Sequence, residues 1–338
     1  MPVESERAQR EEIISAFLKR HGWDSAQRTR IAGDASFRKY DRLIGENKSV
    51  VLMDAPPPQE DVRPFVRIAR HLHDLGFSVP AILAEDSEAG LLLLEDLGDD
   101  TYTRLLARGV DEEKLYTLAV DALIALHRLP EDKAIASGVV RYGELRLLEE
   151  VDRLHVWYLP MVKAAAPDKA ALDEYRSIWR GILRHAWRVP ASLVLFDYHV
   201  DNLLGLFDRT GIKACGWLDF QDAVAGPVTY DLMSLLEDAR RDIDPELVRR
   251  MLARYRAAFP AITDDDFNAS WAAMAAQRHV RVLGTFARLN VRDGKPGYLV
   301  HIPRLWRYME RCLAHPIMGE LKTWLDRHVP ASARMVKP

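Results

Sequence analysis

A short β-type island, Leu193–Asp219, interrupts a chain that otherwise reads as helical from residue 111 to its end. The apolar run "SLVLF" (Ser192–Phe196) leads into "DYHVDN" (Asp197–Asn202), which is closed by "LLGL" (Leu203–Leu206). If both apolar runs are buried strands, the polar residues between them form a tight exposed loop on which Asp197 and Asn202 converge. "FDRTGIK" (Phe207–Lys213) then reads as a turn, and "ACGWLDF" (Ala214–Phe220) as a return strand that brings Asp219 back beside Asn202. Phosphoryl transfer needs this set: a carboxylate for the acceptor hydroxyl, and oxygen ligands for Mg²⁺ on the nucleotide phosphates. A polar β-turn whose Asp and Asn only satisfy backbone groups is the alternative for the loop alone. An acid, an amide five residues on and a second acid 17 residues later across a hairpin make that alternative weaker.

Upstream of the island the pattern changes. Ser5–His21 carries a helical apolar stripe (Ile13, Ile14, Phe17, Leu18) that stops at Gly22. Thr29–Leu43 reads as two short strands around a small-residue turn, and "SVVLMDAPPP" (Ser49–Pro58) as a strand cut off by prolines. Asp61–Leu75 is an amphipathic helix ending at Gly76, and "SVPAIL" and "GLLLLEDL" are two further strands. After Gly98 long helices dominate. We therefore expect an α+β chain of two lobes: a β-rich N-lobe over 1–97, and a larger, mainly helical C-lobe over 98–338.

Bulk properties exclude several classes. A net charge of -3 across 338 residues gives no basic field for nucleic acid. Two cysteines provide neither a disulfide framework nor metal-ligand spacing. No apolar span is long enough for a bilayer, and "MPVESERAQREE" is unlike a signal peptide. The expectation is a cytoplasmic protein with no membrane and no obligate protein partner.

The island resembles the catalytic and metal loops of the aminoglycoside phosphotransferase and choline kinase group, relatives of the protein kinases. Asp197, His199 and Asn202 match its D-x-H-x-x-N, and "WLDFQDAVAGPVTYDL" (Trp217–Leu232) matches its metal-binding Asp followed by Gly-Pro and Asp-Leu. The resemblance implies a protein-kinase-like fold with ATP and Mg²⁺. It makes Asp197 the catalytic base, Asn202 and Asp219 the metal ligands, and Asp231 a buried anchor for the following helix; an ordinary helix N-cap is the other reading of Asp231. "GDASFRKY" lies on the kinase glycine-rich pattern, so Gly33, Asp34, Ala35, Ser36, Phe37, Arg38 and Lys39 are candidates to cover the phosphates. "LLLLEDLGDDTY" resembles the inter-lobe hinge, making Glu95, Asp96 and Leu97 candidates to meet adenine through main-chain groups.

Two departures matter. Met53 stands where kinases carry a lysine, and the helix Asp61–Leu75 has no interior glutamate to pair with one. Losing both together is coherent, since a lone buried charge is costly. Arg38, Lys39 and Arg42 are then the nearby cations for phosphate. The loop also has Leu195 in place of the family's first histidine.

Across residues 10–330, "GDASFRKY", "VLMDAPP", "FDYHVDNLL" and "GTFARLNVRDGKPGYL" are most similar to one branch: the anomeric amino-sugar kinases of peptidoglycan recycling. These phosphorylate N-acetylmuramate and N-acetylglucosamine at the C1 hydroxyl. The implied substrate is an amino sugar, with His199, Glu144 and Trp157 as candidate contacts in the loop and in Tyr142–Pro160. Rival expectations are a kinase of the same fold for an aminoglycoside or choline-like compound, and a nucleotide-binding regulator without turnover.

Overall fold

The computed structural model describes residues 2–31, 37–46 and 48–334. In chain order its helices are α1 (Pro2–Arg20), α2 (Arg63–Asp74), α3 (Tyr102–Ala107), α4 (Glu112–His127), α5 (Glu131–Ala134), α6 (Glu144–Val151), α7 (Leu159–Met161), α8 (Lys169–Ala186), α9 (Thr229–Leu236), α10 (Pro245–Ala258), α11 (Asp264–Asp293), α12 (Ile302–Leu313), α13 (Gly319–His328) and α14 (Ala331–Arg334). Its strands are β1 (Gln27–Arg30), β2 (Lys39–Ile44), β3 (Ser49–Asp54), β4 (Ile82–Asp86), β5 (Leu91–Glu95), β6 (Ala191–Val194), β7 (Leu203–Gly205), β8 (Cys215–Trp217) and β9 (Val224–Pro227). They form two compact units, one of residues 1–118 and 200–222, the other of 119–199 and 223–338.

The first unit is built on an antiparallel sheet in the order β1-β2-β3-β5-β4. Alternation places Leu43, Val50, Leu52, Leu91 and Leu93 against Ile14, Phe17 and Leu18 of α1. β5 is buried at all four of its leucines, the mark of a strand covered on both faces. α1 is also tied to β3 by Arg10, whose Nε and Nη2 donate to the buried Asp54 at 2.9 and 2.7 Å. In α2 the residues Phe65, Ile68, Ala69 and Leu72 recur at helical spacing and are buried. "SVPAIL" is not the strand: pairing begins only at Ile82, because Pro80 has no N–H to give a ladder. Ser78 instead bridges to Gly216, and Phe77 stacks on Trp217 with ring centroids 4.5 Å apart. β7 and β8 thereby form a hairpin seated on this unit's own apolar residues.

The second unit centres on α11, a 30-residue helix capped by the Thr263 side chain and ended by Gly294 in the left-handed region (φ 63°). Its buried alanines (Ala269, Ala272, Ala273, Ala275, Ala276) let neighbouring helices approach closely. One approach is extreme. A Cβ on Gly284 would stand 2.4 Å from the Arg153 Cβ and 2.6 Å from its carbonyl atoms, so only glycine lets the segment after α6 cross α11 here. Trp179, Tyr175, Trp306 and Trp324 fill the same core. β6 pairs antiparallel with β9, so the strand entering the polar loop belongs to a different sheet from β7, which leaves it. Among the described residues, no helix is long and apolar enough to cross a membrane.

Candidate active site

Asp197 follows a strained turn. Phe196 has φ 79°, a left-handed conformation that a bulky residue adopts only when its surroundings impose it. Two forces do so. The buried Asp231, in the first turn of α9, accepts the Leu195 N–H at 2.6 Å and the Phe196 N–H at 3.1 Å, clamping the two successive amides that lead into the turn. The Phe196 ring is meanwhile stacked on Tyr230 at 5.3 Å and set edge-on to Tyr142 at 5.2 Å. Asp231 is thus an acceptor for two backbone amides just after β6, and not the N-cap of its own helix, which is Val228. Burial pushes its carboxyl up to about 7, against the opposing pull of those two N–H groups.

The Asp197 carboxylate is partly exposed and sits 3.7 Å from Nη2 of Arg281 on α11. Burial would raise its pKa, but Arg281, then His199, Arg278 and Arg240 outweigh that and hold it below the usual carboxylate range. A deprotonated acid at neutral pH follows, ready to accept a hydrogen bond from a hydroxyl. His199 is buried, its Nε2 3.1 Å from Nη1 of Arg240, and burial with the two arginines lowers its pKa.

In the first unit the hairpin register pairs Leu203 with Trp217, and the Leu218 N–H donates to the Asn202 carbonyl at 2.9 Å. This brings the Asn202 amide to 3.5 Å from the Asp219 carboxylate. Asp219 also takes a left-handed backbone (φ 59°), and its other oxygen accepts from Gln221 Nε2 at 2.8 Å. The pair offers a carboxylate and an amide, the hard oxygen donors Mg²⁺ prefers; turning the amide by half a rotation presents its oxygen. The donor chemistry fits the ion.

Phosphate candidates separate clearly. Gly33, Asp34, Ala35 and Ser36 lie outside the described residues. Phe37 is exposed, and its N–H donates to Glu60 at 3.1 Å. Arg38 is mostly buried, lies 3.6 Å from the same Glu60, and is held protonated by Tyr40, Asp219, Glu60 and Asp222 against the cost of burial. Arg38 and Glu60 thus make a cation–acid pair that sequence reasoning did not find, with its acid just before α2. Met53 is fully buried in β3, opposite Leu92. Lys39 opens β2 on an exposed position. Arg42 is committed elsewhere: it holds Asp96 with two bonds at 2.7 and 2.9 Å and Asp99 at 2.7 Å.

Of the hinge candidates, Glu95 is ion-paired to Arg209 at 2.6 Å and its N–H donates to Ala81, while Leu97 is half-buried just beyond β5. Of the sugar candidates, Glu144 is exposed and pairs with Arg180 at 3.2 Å, and Trp157 packs against the helical core. Sequence reasoning missed Arg278 and Arg281, two arginines three apart in a stretch of buried alanines, which was the available signal.

Residues 27–266 match the profile of a family described as "Phosphotransferase enzyme family". The chain is 39% identical to the N-acetylmuramate/N-acetylglucosamine kinase of Caulobacter vibrioides, with 97% of this chain and 99% of that one covered. It is 40% identical to the protein of the same name from Pseudomonas aeruginosa, over 86% and 85% of the two chains. Among solved structures it is similar to choline kinase LicA from Streptococcus pneumoniae (TM-score 0.58, 13% identity, 90% of this chain and 99% of that one). It is likewise similar to the ADP-bound aminoglycoside phosphotransferase APH(2'')-Ib (TM-score 0.55, 18% identity, 89% and 98%).

Proposed function

The chain belongs to the phosphotransferase enzyme family and has its protein-kinase-like fold, and we propose that it transfers the γ-phosphoryl group of ATP to the anomeric C1 hydroxyl of N-acetylmuramate and N-acetylglucosamine. It is a kinase acting on an alcohol acceptor. The observation that carries the substrate is the identity of 39% to a kinase of that name across nearly the whole of both chains. An enzyme that spends ATP on a recycled wall sugar works in the cytoplasm.

In this reading the Asp197 carboxylate accepts the proton of the C1 hydroxyl as the sugar oxygen bonds to the γ-phosphorus. The bond from that phosphorus to the bridging oxygen of ADP breaks, leaving the sugar 1-phosphate, ADP and a proton. An anomeric hydroxyl is more acidic than other sugar hydroxyls, so a weak base suffices. Asn202 and Asp219 would hold Mg²⁺, which supplies neutralisation of phosphate charge when bound. Arg38, oriented by Glu60, takes the place of the kinase lysine as a phosphate cation. Two strained backbones, at Phe196 and Asp219, fix the acid and the ligand in place at folding, so neither must be ordered by substrate.

The test is ATP consumption by the purified chain with Mg²⁺ and, in parallel, N-acetylmuramate, N-acetylglucosamine, an aminoglycoside and choline. Turnover of the two acetylated sugars, lost in Asp197→Asn, with the product phosphorus on C1 by NMR, is the expected result. Turnover confined to the aminoglycoside or choline would replace the substrate. Binding of Mg·ATP with no turnover of any acceptor would leave a regulator.

A further inference from the structure

On α11 the residues Arg278, Arg281, Thr285 and Arg288 follow one another at spacings of three, four and three, which places them along one helix face. Arg153, brought close by Gly284, reaches this face and donates from Nη1 to Thr285 Oγ1 at 3.0 Å. Arg281 at the same time lies over the Phe196 ring at 4.5 Å and beside Asp197. Four guanidinium groups are thus gathered within one unit of the fold.

The acids near them are largely engaged. Asp231 accepts from two backbone N–H groups. Asp238, in the field of Arg278, accepts from the Arg240 N–H at 2.8 Å, and Asp293, in the field of Arg288, accepts from Arg292 at 2.7 Å. Glu150 already accepts from the Tyr142 hydroxyl, from Gln277 Nε2 at 2.9 Å and from Arg146 Nε at 3.3 Å. The shortfall is visible atom by atom. Nε and Nη1 of Arg278, Nε of Arg281 and Nε of Arg288 are buried with no acceptor in the protein. Arg278 is 1% exposed. The Arg153 guanidinium is held below its usual pKa by burial and, with Glu150 opposing, by Arg281 and Arg288, so these three cations lie within one another's field. Buried donors and like charges left in this state are costly, and an anionic ligand would satisfy both.

We propose that Arg153 and Arg288, continuing from Arg281, bind the lactyl carboxylate of N-acetylmuramate, the group N-acetylglucosamine lacks. The inference rests on the amino-sugar reading above and adds to it the residues that tell the two sugars apart. Planar guanidinium forks match a carboxylate, and several can share one. The reach is suitable. Arg281 marks the end where C1 meets Asp197, and Arg288 lies roughly 10 Å further along the helix axis, given a rise of about 1.5 Å per residue. A hexose ring with an ether substituent at its far side spans a comparable length. The competing occupant is the transferred phosphoryl group, which both substrates share.

The experiment compares kcat and KM for both sugars in the full chain and in Arg153→Gln and Arg288→Gln, with Arg288→Lys as the charge-preserving variant. The expected result is a fall of roughly 10- to 100-fold in the ratio of kcat/KM for N-acetylmuramate to that for N-acetylglucosamine, mostly through KM. Arg288→Lys should recover part of it. A further arm uses the methyl ester of N-acetylmuramate, which the unaltered protein should handle at least tenfold less well than the acid. N-acetylglucosamine turnover in each preparation reports its folding. A ratio within about twofold of the unaltered protein in both glutamine variants would overturn the inference while the kinase reading stands. So would an equal loss of kcat on both sugars, which would assign these arginines to the phosphoryl group. If the unaltered protein turns over neither sugar, the kinase reading falls first.

Discussion

Replacing Asp231 by asparagine tests whether the strained turn before Asp197 is held by a buried charge. The carboxylate offers an oxygen to each of two backbone N–H groups, at 2.6 and 3.1 Å. Asparagine offers one oxygen and one NH₂, so one amide keeps its acceptor and the other meets a donor. A buried N–H left without an acceptor costs about 1–3 kcal/mol. The substitution also removes a cost. Because burial pushes the Asp231 carboxyl from 3.8 up to about 7, the folded chain holds this proton where the unfolded chain has released it. Stability from this group is therefore full below about pH 4, falls as pH rises towards 7, and is level above that. At about 1.4 kcal/mol per unit, three units amount to about 4 kcal/mol. Near pH 7.5 the relief of that burial cost offsets the lost hydrogen bond, so Asp231→Asn should remain folded.

Activity should not survive as well. Phe196 keeps φ 79° at a cost of roughly 1–3 kcal/mol, and the clamp opposes its release. With one amide freed, the turn relaxes and carries the adjacent Asp197 with it; a displacement of about 1 Å at a reacting group costs about 100-fold in rate. Steady-state kcat should fall by about that factor, while circular dichroism and thermal unfolding show a folded chain. The decline of unfolding temperature between pH 4 and 7 should flatten. A kcat within threefold of the unaltered protein would refute the clamp, and an unchanged pH dependence would refute the charge.

Two further expectations follow from single contacts. Arg38→Met should lower kcat/KM for ATP by roughly 10- to 100-fold, the worth of a hydrogen bond to a charged group, with Glu60→Gln showing a smaller loss; equal ATP kinetics in both variants would remove Arg38 from the phosphate site. Gly284→Ala, normally favourable in a helix by about 1 kcal/mol, should here destabilise by about 1–3 kcal/mol, since its Cβ would lie about 1 Å inside ordinary contact with Arg153. A melting temperature at or above that of the unaltered chain would show that the crossing yields.

The features that were readable in the sequence are those fixed by local chain geometry. Asn202 and Asp219 sit at a spacing that a hairpin closes, and the hairpin follows from two apolar runs and a turn. α2 and its Gly76 stop were readable for the same reason. What was not readable depends on elements distant in sequence. A glutamate to pair with a cation was sought inside the helix beginning near residue 61, whereas Glu60, which lies 3.6 Å from Arg38, stands just before it. Arg42 was as good a phosphate candidate as Arg38 until the fold set Asp96 and Asp99 against it. β4 starts after Pro80 for want of one N–H, which the apolar pattern of "SVPAIL" conceals.

The arginines of α11 show most clearly why a site is harder to read than a fold. Along the sequence Arg278, Arg281 and Arg288 are three charges in a helix, the ordinary sign of a solvated face. A solvated face, however, would expose its guanidinium groups, and Arg278 is buried among alanines with two N–H groups unanswered. What separates the readings is the crossing at Gly284, which lays Arg153 against this face. Burial converts charges that water would have screened into donors that require a partner. In the proposed reading the same helix would serve two ends of one substrate: Arg281 lowers the pKa of Asp197, and Arg153 and Arg288 lie within one another's field further along. Buried guanidinium groups cost stability unless they are paired, and the carboxylate of N-acetylmuramate, as proposed, would pair them where a neutral sugar would not.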